Sequence, residues 1–200
     1  MELPTKVWPL PLNFINITSG YGPRTISVSG TTIKQSNHGA IDIAAPVGTP
    51  VMSIDNGKVG KVVLDHPEAG HYVEVEHPNG HWSRYLHLSD IQVKVGDPVK
   101  TGGRLGLSGG GVGIRGAGRT TGPHLHLEIW KGQPYTSGAA KTDPEPYLVS
   151  LALVKVKAAA VRNRGLIVAT LGLVAVGAAV FAQSAAGFRS NPLKRLTVAR

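Results

Sequence analysis

The chain has 200 residues, no cysteine and a net charge of +9. That length allows one domain of ordinary size plus an appendage, and the lack of cysteine excludes a disulfide framework, thiolate chemistry and any Cys-based metal site. The charge is confined to one end: residues 1–150 hold 13 of the 21 Lys and Arg and all 12 Asp and Glu, whereas residues 151–200 hold 8 basic residues and no acid. These basic residues are not interleaved with stacking aromatics, so no nucleic-acid partner is expected, and their natural role is to flank a membrane segment.

Residues 1–16 form a lead broken by Pro4, Pro9 and Pro11. With no basic region followed by an uninterrupted apolar core, it does not read as a secretory signal. In Ile17-Thr18-Ser19-Gly20-Tyr21-Gly22-Pro23-Arg24 the glycines and proline predict a tight turn around Tyr21, and the polar residues 25–37 predict a loop. Short strand-type runs follow at 41–44, 50–54, 58–64, 71–77, 82–88, 105–108 and 125–130. Turn signals such as Asp55-Asn56-Gly57, Pro78-Asn79-Gly80 and Val95-Gly96-Asp97 separate them, and Asn79-Gly80 marks the clearest hairpin. No helical periodicity precedes residue 148. Segment 109–120 contains six glycines, too many for a strand, and predicts a mobile loop. It lacks the Gly-Lys-Ser/Thr ending and following helix of a phosphate cradle.

The pattern predicts a mainly β domain over 17–148, a compact antiparallel sandwich or partly closed barrel, followed by a basic linker at 149–164. Residues 165–182 are an uncharged run of 18. As a helix it would be about 27 Å long, near the thickness of a bilayer core. It is predicted to span a membrane once, with a basic tail at 183–200.

Chemistry concentrates in the histidines. In Thr121-Gly122-Pro123-His124-Leu125-His126-Leu127-Glu128-Ile129, His124 and His126 share one face of a strand. His38 and Asp42 would lie about 13 Å apart on an extended strand. Gly39 and Ala40 allow the chain to bend and bring them together. Two imidazoles and one carboxylate, with one histidine drawn from the later strand, make a three-ligand set that leaves a fourth position to water, as in catalytic zinc centres.

These residues are accompanied by Gly48-Thr49-Pro50-Val51, Tyr85-Leu86-His87-Leu88-Ser89 and Val93-x-Val95-Gly96-Asp97-x-Val99-x-x-Gly102. Together, over about residues 17–148, they resemble the lysostaphin-type (LytM-like) zinc metalloendopeptidases that cleave peptidoglycan. The resemblance implies one zinc ion per chain, held by His38, Asp42 and His126. His87 and His124 would face the scissile carbonyl, with His124 as base and His87 as its partner, although spacing alone does not separate these two roles. No His-Glu-x-x-His sequence is present, so histidine must handle the proton. Ala40 stands where the family often has a second glycine, and segment 109–120 is longer than usual and is expected to shape substrate selectivity. His77 resembles a structural position. His66, His71 and His81 are expected on the surface or in loops, Tyr21 and Arg24 either lining the groove or serving as a turn anchor and a solvated charge, and Trp82 and Trp130 in core or rim packing.

The expected function is therefore zinc-dependent hydrolysis of the stem or cross-bridge peptides of bacterial peptidoglycan by a single-pass, membrane-anchored enzyme. With no leader evident, a phage virion membrane is one expected location and the bacterial cell envelope the other. The rival expectation is a membrane-anchored protein that binds peptidoglycan or serves as a scaffold without cutting.

Overall fold

The computed structural model describes residues 6–28 and 31–148. The strands are β1 (Ile17–Ser19), β2 (Gly22–Val28), β3 (Thr31–His38), β4 (Ile41–Ala44), β5 (Pro50–Met52) and β6 (Gly57–His66). They continue with β7 (Gly70–Glu76), β8 (His81–Ile91), β9 (Pro98–Val99), β10 (Arg104–Ser108), β11 (His124–Lys131) and β12 (Ala140–Thr142). A short 3-10 turn, Glu145–Tyr147, follows. Ten strands make one antiparallel sheet in the order β1-β4-β11-β8-β7-β6-β9, with β10 joined to β8 and β5, and β12 joined to β11. β2 and β3 form a separate ribbon.

That ribbon corrects the loop predicted at 25–37: Thr25 pairs with Lys34 and Ile26 with Ile33. The segment is polar but rich in Thr, Ile and Val, and β-branching carries the strand preference. His71, expected at the surface, is buried on β7 at 4% exposure. The predicted linker 149–164, spanning helix 165–182 and tail 183–200 lie outside the described residues. Among the described residues no helix is long and apolar enough to cross a membrane.

Alternation decides which side chains enter the core. Leu125, Leu127 and Ile129 of β11 point inward with Ile41 and Ile43 of β4 and Tyr85 and Leu88 of β8, all 0–1% exposed. Burying each such side chain contributes about 1.5–3 kcal/mol. Trp8 and Leu10 of the lead join the same core, and the Trp8 indole N–H donates to Phe14 O at 2.7 Å. His77 shows how an inward-facing polar group is paired. His77 Nδ1–H donates to Asn56 O and its Nε2 lies by Ser83 Oγ, both at 2.8 Å.

The opposite face carries charge. Glu74, Arg84 and Glu128 sit directly across β7, β8 and β11, each 2% exposed. Arg84 donates to Glu74 at 2.9 Å and to Glu128 at 2.6 Å. Removing the cation would leave two buried carboxylates without their shared guanidinium. Arg84→Met is therefore expected to destabilise the domain by about 3–5 kcal/mol, read as a lower urea midpoint at unchanged slope. A shift below about 1 kcal/mol would show that the triad adds no net stability.

Burial pushes the His77 pKa below its ordinary value, and the Asn56 carbonyl and Asp55 charge only partly offset this. The folded form thus resists a proton that the unfolded chain accepts. This contribution is present above about pH 6.5 and is lost as pH falls below it. His77→Gln is expected to flatten the acid side of the stability profile; an unchanged slope would exclude His77 as a contributor.

Candidate metal centre

The register between β4 and β11 sets Asp42 directly opposite His126, with Ile43 opposite Leu125 beneath them. His126 Nδ1 lies 2.8 Å from Asp42 Oδ1. β3 ends at His38, and the Gly39-Ala40 link turns the chain so that His38 Nε2 comes to 3.4 Å from both Asp42 Oδ1 and His126 Nδ1. The predicted bend thus occurs, and one ligand atom from each of His38, Asp42 and His126 fits within a 4.8 Å cluster. His124 Nε2 lies 3.6 Å from Asp42 Oδ1, on the same face one pleat away. His87 closes the group, with its ring centroid 5.0 Å from that of His124 and 5.6 Å from that of His126. A second cluster of the same size, His87, His124 and His126, shares His126 with the first.

Strict alternation along β8 would aim His87 into the core with Ser83 and Tyr85. Instead the β7–β8 register slips between His71 and Val73, so that two β7 steps face three β8 steps, and His87 adopts φ +60°. Such a bulge re-aims a side chain, and left-handed backbone at a non-glycine residue is strain that clusters at functional sites. Here it turns His87 onto the site face while Leu88 takes the core position.

Each histidine has one ring nitrogen committed outside the cluster. His38 Nδ1–H donates to Gly20 O at 2.9 Å, His87 Nδ1–H to Ala117 O at 2.6 Å and His124 Nδ1–H to Gly122 O at 2.8 Å. Because a carbonyl only accepts, the proton must sit on Nδ1 in all three, and the Nε2 lone pairs turn inward. His126 is reversed: Nδ1 faces Asp42 and Nε2 faces Glu128 Oε1 at 3.4 Å. Groups that hold the outer nitrogen of a metal-binding imidazole fix its tautomer and orientation.

Charge is distributed accordingly. Burial would raise the Asp42 pKa, but hydrogen bonds from His126 and His38 outweigh it and hold the carboxyl well below the usual range. Arg24 adds a guanidinium contact to Asp42 Oδ2 at 2.8 Å. Burial pushes His87 down to about 4, aided by His126 and His124, and also lowers His124 despite the Asp42 charge. Both are neutral at pH 7 and can accept a proton. For His126, burial is outweighed by hydrogen bonds to Asp42 and Glu128, and its pKa rises. Two imidazoles, His38 and His126, converging on an anionic carboxylate, Asp42, suit a divalent cation with N and O ligands.

The sequence pattern brings together all five proposed site residues but leaves their supports unassigned. Arg24, expected to line the groove or to be a solvated charge, contacts Asp42. Glu128, two residues beyond His126 and hence on the same face, accepts from Arg84, Lys141 and Trp130 Nε1 at 2.6, 2.7 and 2.8 Å. Extending the alternation that pairs His124 with His126 would have placed Glu128 and Trp130 on this face.

The model of peptidase family M23 matches residues 36–139. The chain is 44% identical over 119 residues to the peptidoglycan DD-endopeptidase ShyA of Vibrio cholerae, covering 59% of this chain and 26% of that protein. It is 36% identical over 132 residues to the glycyl-glycine endopeptidase ALE-1 of Staphylococcus capitis, covering 66% and 33%. The chain thus spans well under half the length of these curated relatives. Among solved structures, a zinc-containing peptidase from Vibrio cholerae is similar at TM-score 0.53 and 40% identity, covering 64% of this chain and 37% of that one. The catalytic domain of lysostaphin from Staphylococcus simulans is similar at TM-score 0.55 and 32% identity, covering 68% and 92%. The chain belongs to peptidase family M23.

Proposed function

We propose that this chain is a zinc-dependent endopeptidase that hydrolyses peptide cross-links of bacterial peptidoglycan. The observation that carries the proposal is the two-sided site: His38, Asp42 and His126 converge on one point, and the inward nitrogens of neutral His87 and His124 face it from β8 and the start of β11. The relatives whose names specify peptidoglycan or glycyl-glycine endopeptidases support the substrate class.

His38 Nε2, Asp42 Oδ1 and His126 Nδ1 would hold the ion. When bound, zinc acidifies water and polarises a carbonyl oxygen. His124, beside Asp42, would take the water proton on its inward Nε2; passed to the inward Nε2 of His87, that proton would let His87 stabilise charge on the carbonyl oxygen and then hand the proton to the departing amine. Asp42 stays ionised across the working pH range, and Arg24 keeps its second oxygen turned from the cluster. Glu128 holds the far side of His126.

We further propose that residues 165–182 anchor the enzyme in a membrane, with four basic residues on either side, and that a phage virion is where such an enzyme opens a wall during entry. The full chain is expected to float with lipid vesicles in a density gradient, and the double substitution Leu173→Arg, Val176→Arg to abolish flotation. Flotation that survives both charges would remove the anchor.

For the chemistry, purified peptidoglycan digested with the full chain is expected to yield new free amines by mass spectrometry. His87→Ala and His124→Ala should each lower kcat by about 100-fold or more while leaving zinc bound. His38→Ala should lose about one equivalent of zinc together with activity. Peptidoglycan left intact by a zinc-loaded wild-type protein would favour the non-cutting scaffold.

A further inference from the structure

Segment 109–120 divides into two halves with different surroundings. Val112 and Ile114 are 78% and 41% exposed, and Arg115 reaches the exposed Asp65 at 3.5 Å. Residues 116–119 are instead held against the β6–β7 turn and the end of β8. His71 N–H donates to Gly116 O at 2.8 Å, Arg119 N–H to Glu68 O at 2.9 Å, and Ala117 is 3% exposed. From this position the Ala117 carbonyl accepts the buried Nδ1–H of His87. The backbone of the same residue is held as well: the His87 N–H donates to Ala69 O at 3.0 Å.

Such close packing of backbone on backbone leaves no room for side chains. A Cβ on Gly116 would run into Leu88 O and the His71 ring, and one on Gly118 into Gly70 N and Glu68 O, all closer than 3.0 Å. Both glycines also take left-handed conformations, with φ +78° and +64°. The tight fit therefore requires glycine on steric and on conformational grounds. It meets His87 at the β8 bulge, where a non-glycine residue is itself held at φ +60° and persists only if its surroundings over-determine it.

We propose that residues 116–118 are a backbone clamp that fixes the ring and tautomer of His87 through the Ala117 carbonyl, so that the glycine-rich segment is a positioning element for the reaction. With Nδ1–H tied to Ala117 O, only Nε2 of His87 is presented to the cluster. Released from the carbonyl, the ring could rotate or shift its proton to Nε2, and the inward lone pair would be lost. The proposal rests on the reading that His87 acts on the substrate, but the clamp has a signature that needs no turnover.

The test is the 15N NMR spectrum of the His87 ring in the zinc-loaded full chain, read beside kcat and KM on peptidoglycan fragments. The wild-type ring is expected as a single Nδ1–H tautomer. Gly116→Ala and Gly118→Ala are expected to show both tautomers and to lower kcat by about 100-fold, with KM and zinc content unchanged. Val112→Ser, in the exposed half, is expected to match wild type in tautomer and kcat. A wild-type ring protonated on Nε2, or mixed, would overturn the clamp, even if neither glycine variant folds. So would a Val112→Ser variant that loses as much kcat as the glycine variants. A single wild-type Nδ1–H tautomer without turnover of peptidoglycan would sustain the clamp and contradict the proposed function instead.

Discussion

The pairing of β4 with β11 is the constraint on which the site depends. It sets Asp42 opposite His126 while Ile41, Ile43, Leu125 and Leu127 fill the core on the reverse face. Because side chains alternate with period two, a slip of one residue would send the histidines into the core and the leucines into the groove. Core burial therefore enforces the same register that places the carboxylate 2.8 Å from the imidazole. Stability and site geometry share one cause.

Around that pair, backbone supplies the orientation. Three of the four clustered histidines donate Nδ1–H to a carbonyl, from Gly20, Ala117 and Gly122, each on an irregular stretch beside a strand. The fourth, His126, uses Nδ1 within the cluster and leans its Nε2 towards Glu128, itself held by Arg84, Lys141 and Trp130. Buried charge on the sheet face thus serves the site as well as the sheet. Burial would raise the Glu128 pKa, but His126, Arg84 and Lys141 outweigh it, so the carboxylate stays ionised.

Much of this was legible in the sequence because it follows from period-two alternation and turn chemistry. His124 and His126 on one face, the bend between His38 and Asp42, and the Asn79-Gly80 hairpin need only local rules. The polar β2–β3 ribbon was hidden because its apolar residues, Ile26, Val28 and Ile33, are few among polar ones, and β-branching carries the remaining signal. His87 illustrates the deeper gap. A strand through Trp82–Leu88 aims it into the core, and only the slip against β7, a tertiary event, turns it outward. The Ala117 carbonyl carries no side-chain signal at all, and His71 looked like a surface residue because its neighbours in the chain do not reveal the backbone packed over it.

The central claim is that one metal ion is held by His38 Nε2, Asp42 Oδ1 and His126 Nδ1, leaving His87 and His124 for protons. Anomalous diffraction at the zinc edge from crystals of the zinc-loaded chain tests it most directly. A single peak within bonding distance of those three atoms, about 2.0–2.2 Å, is the result this account predicts. A peak bonded to His87, His124 and His126, with His38 and Asp42 left outside, would contradict it.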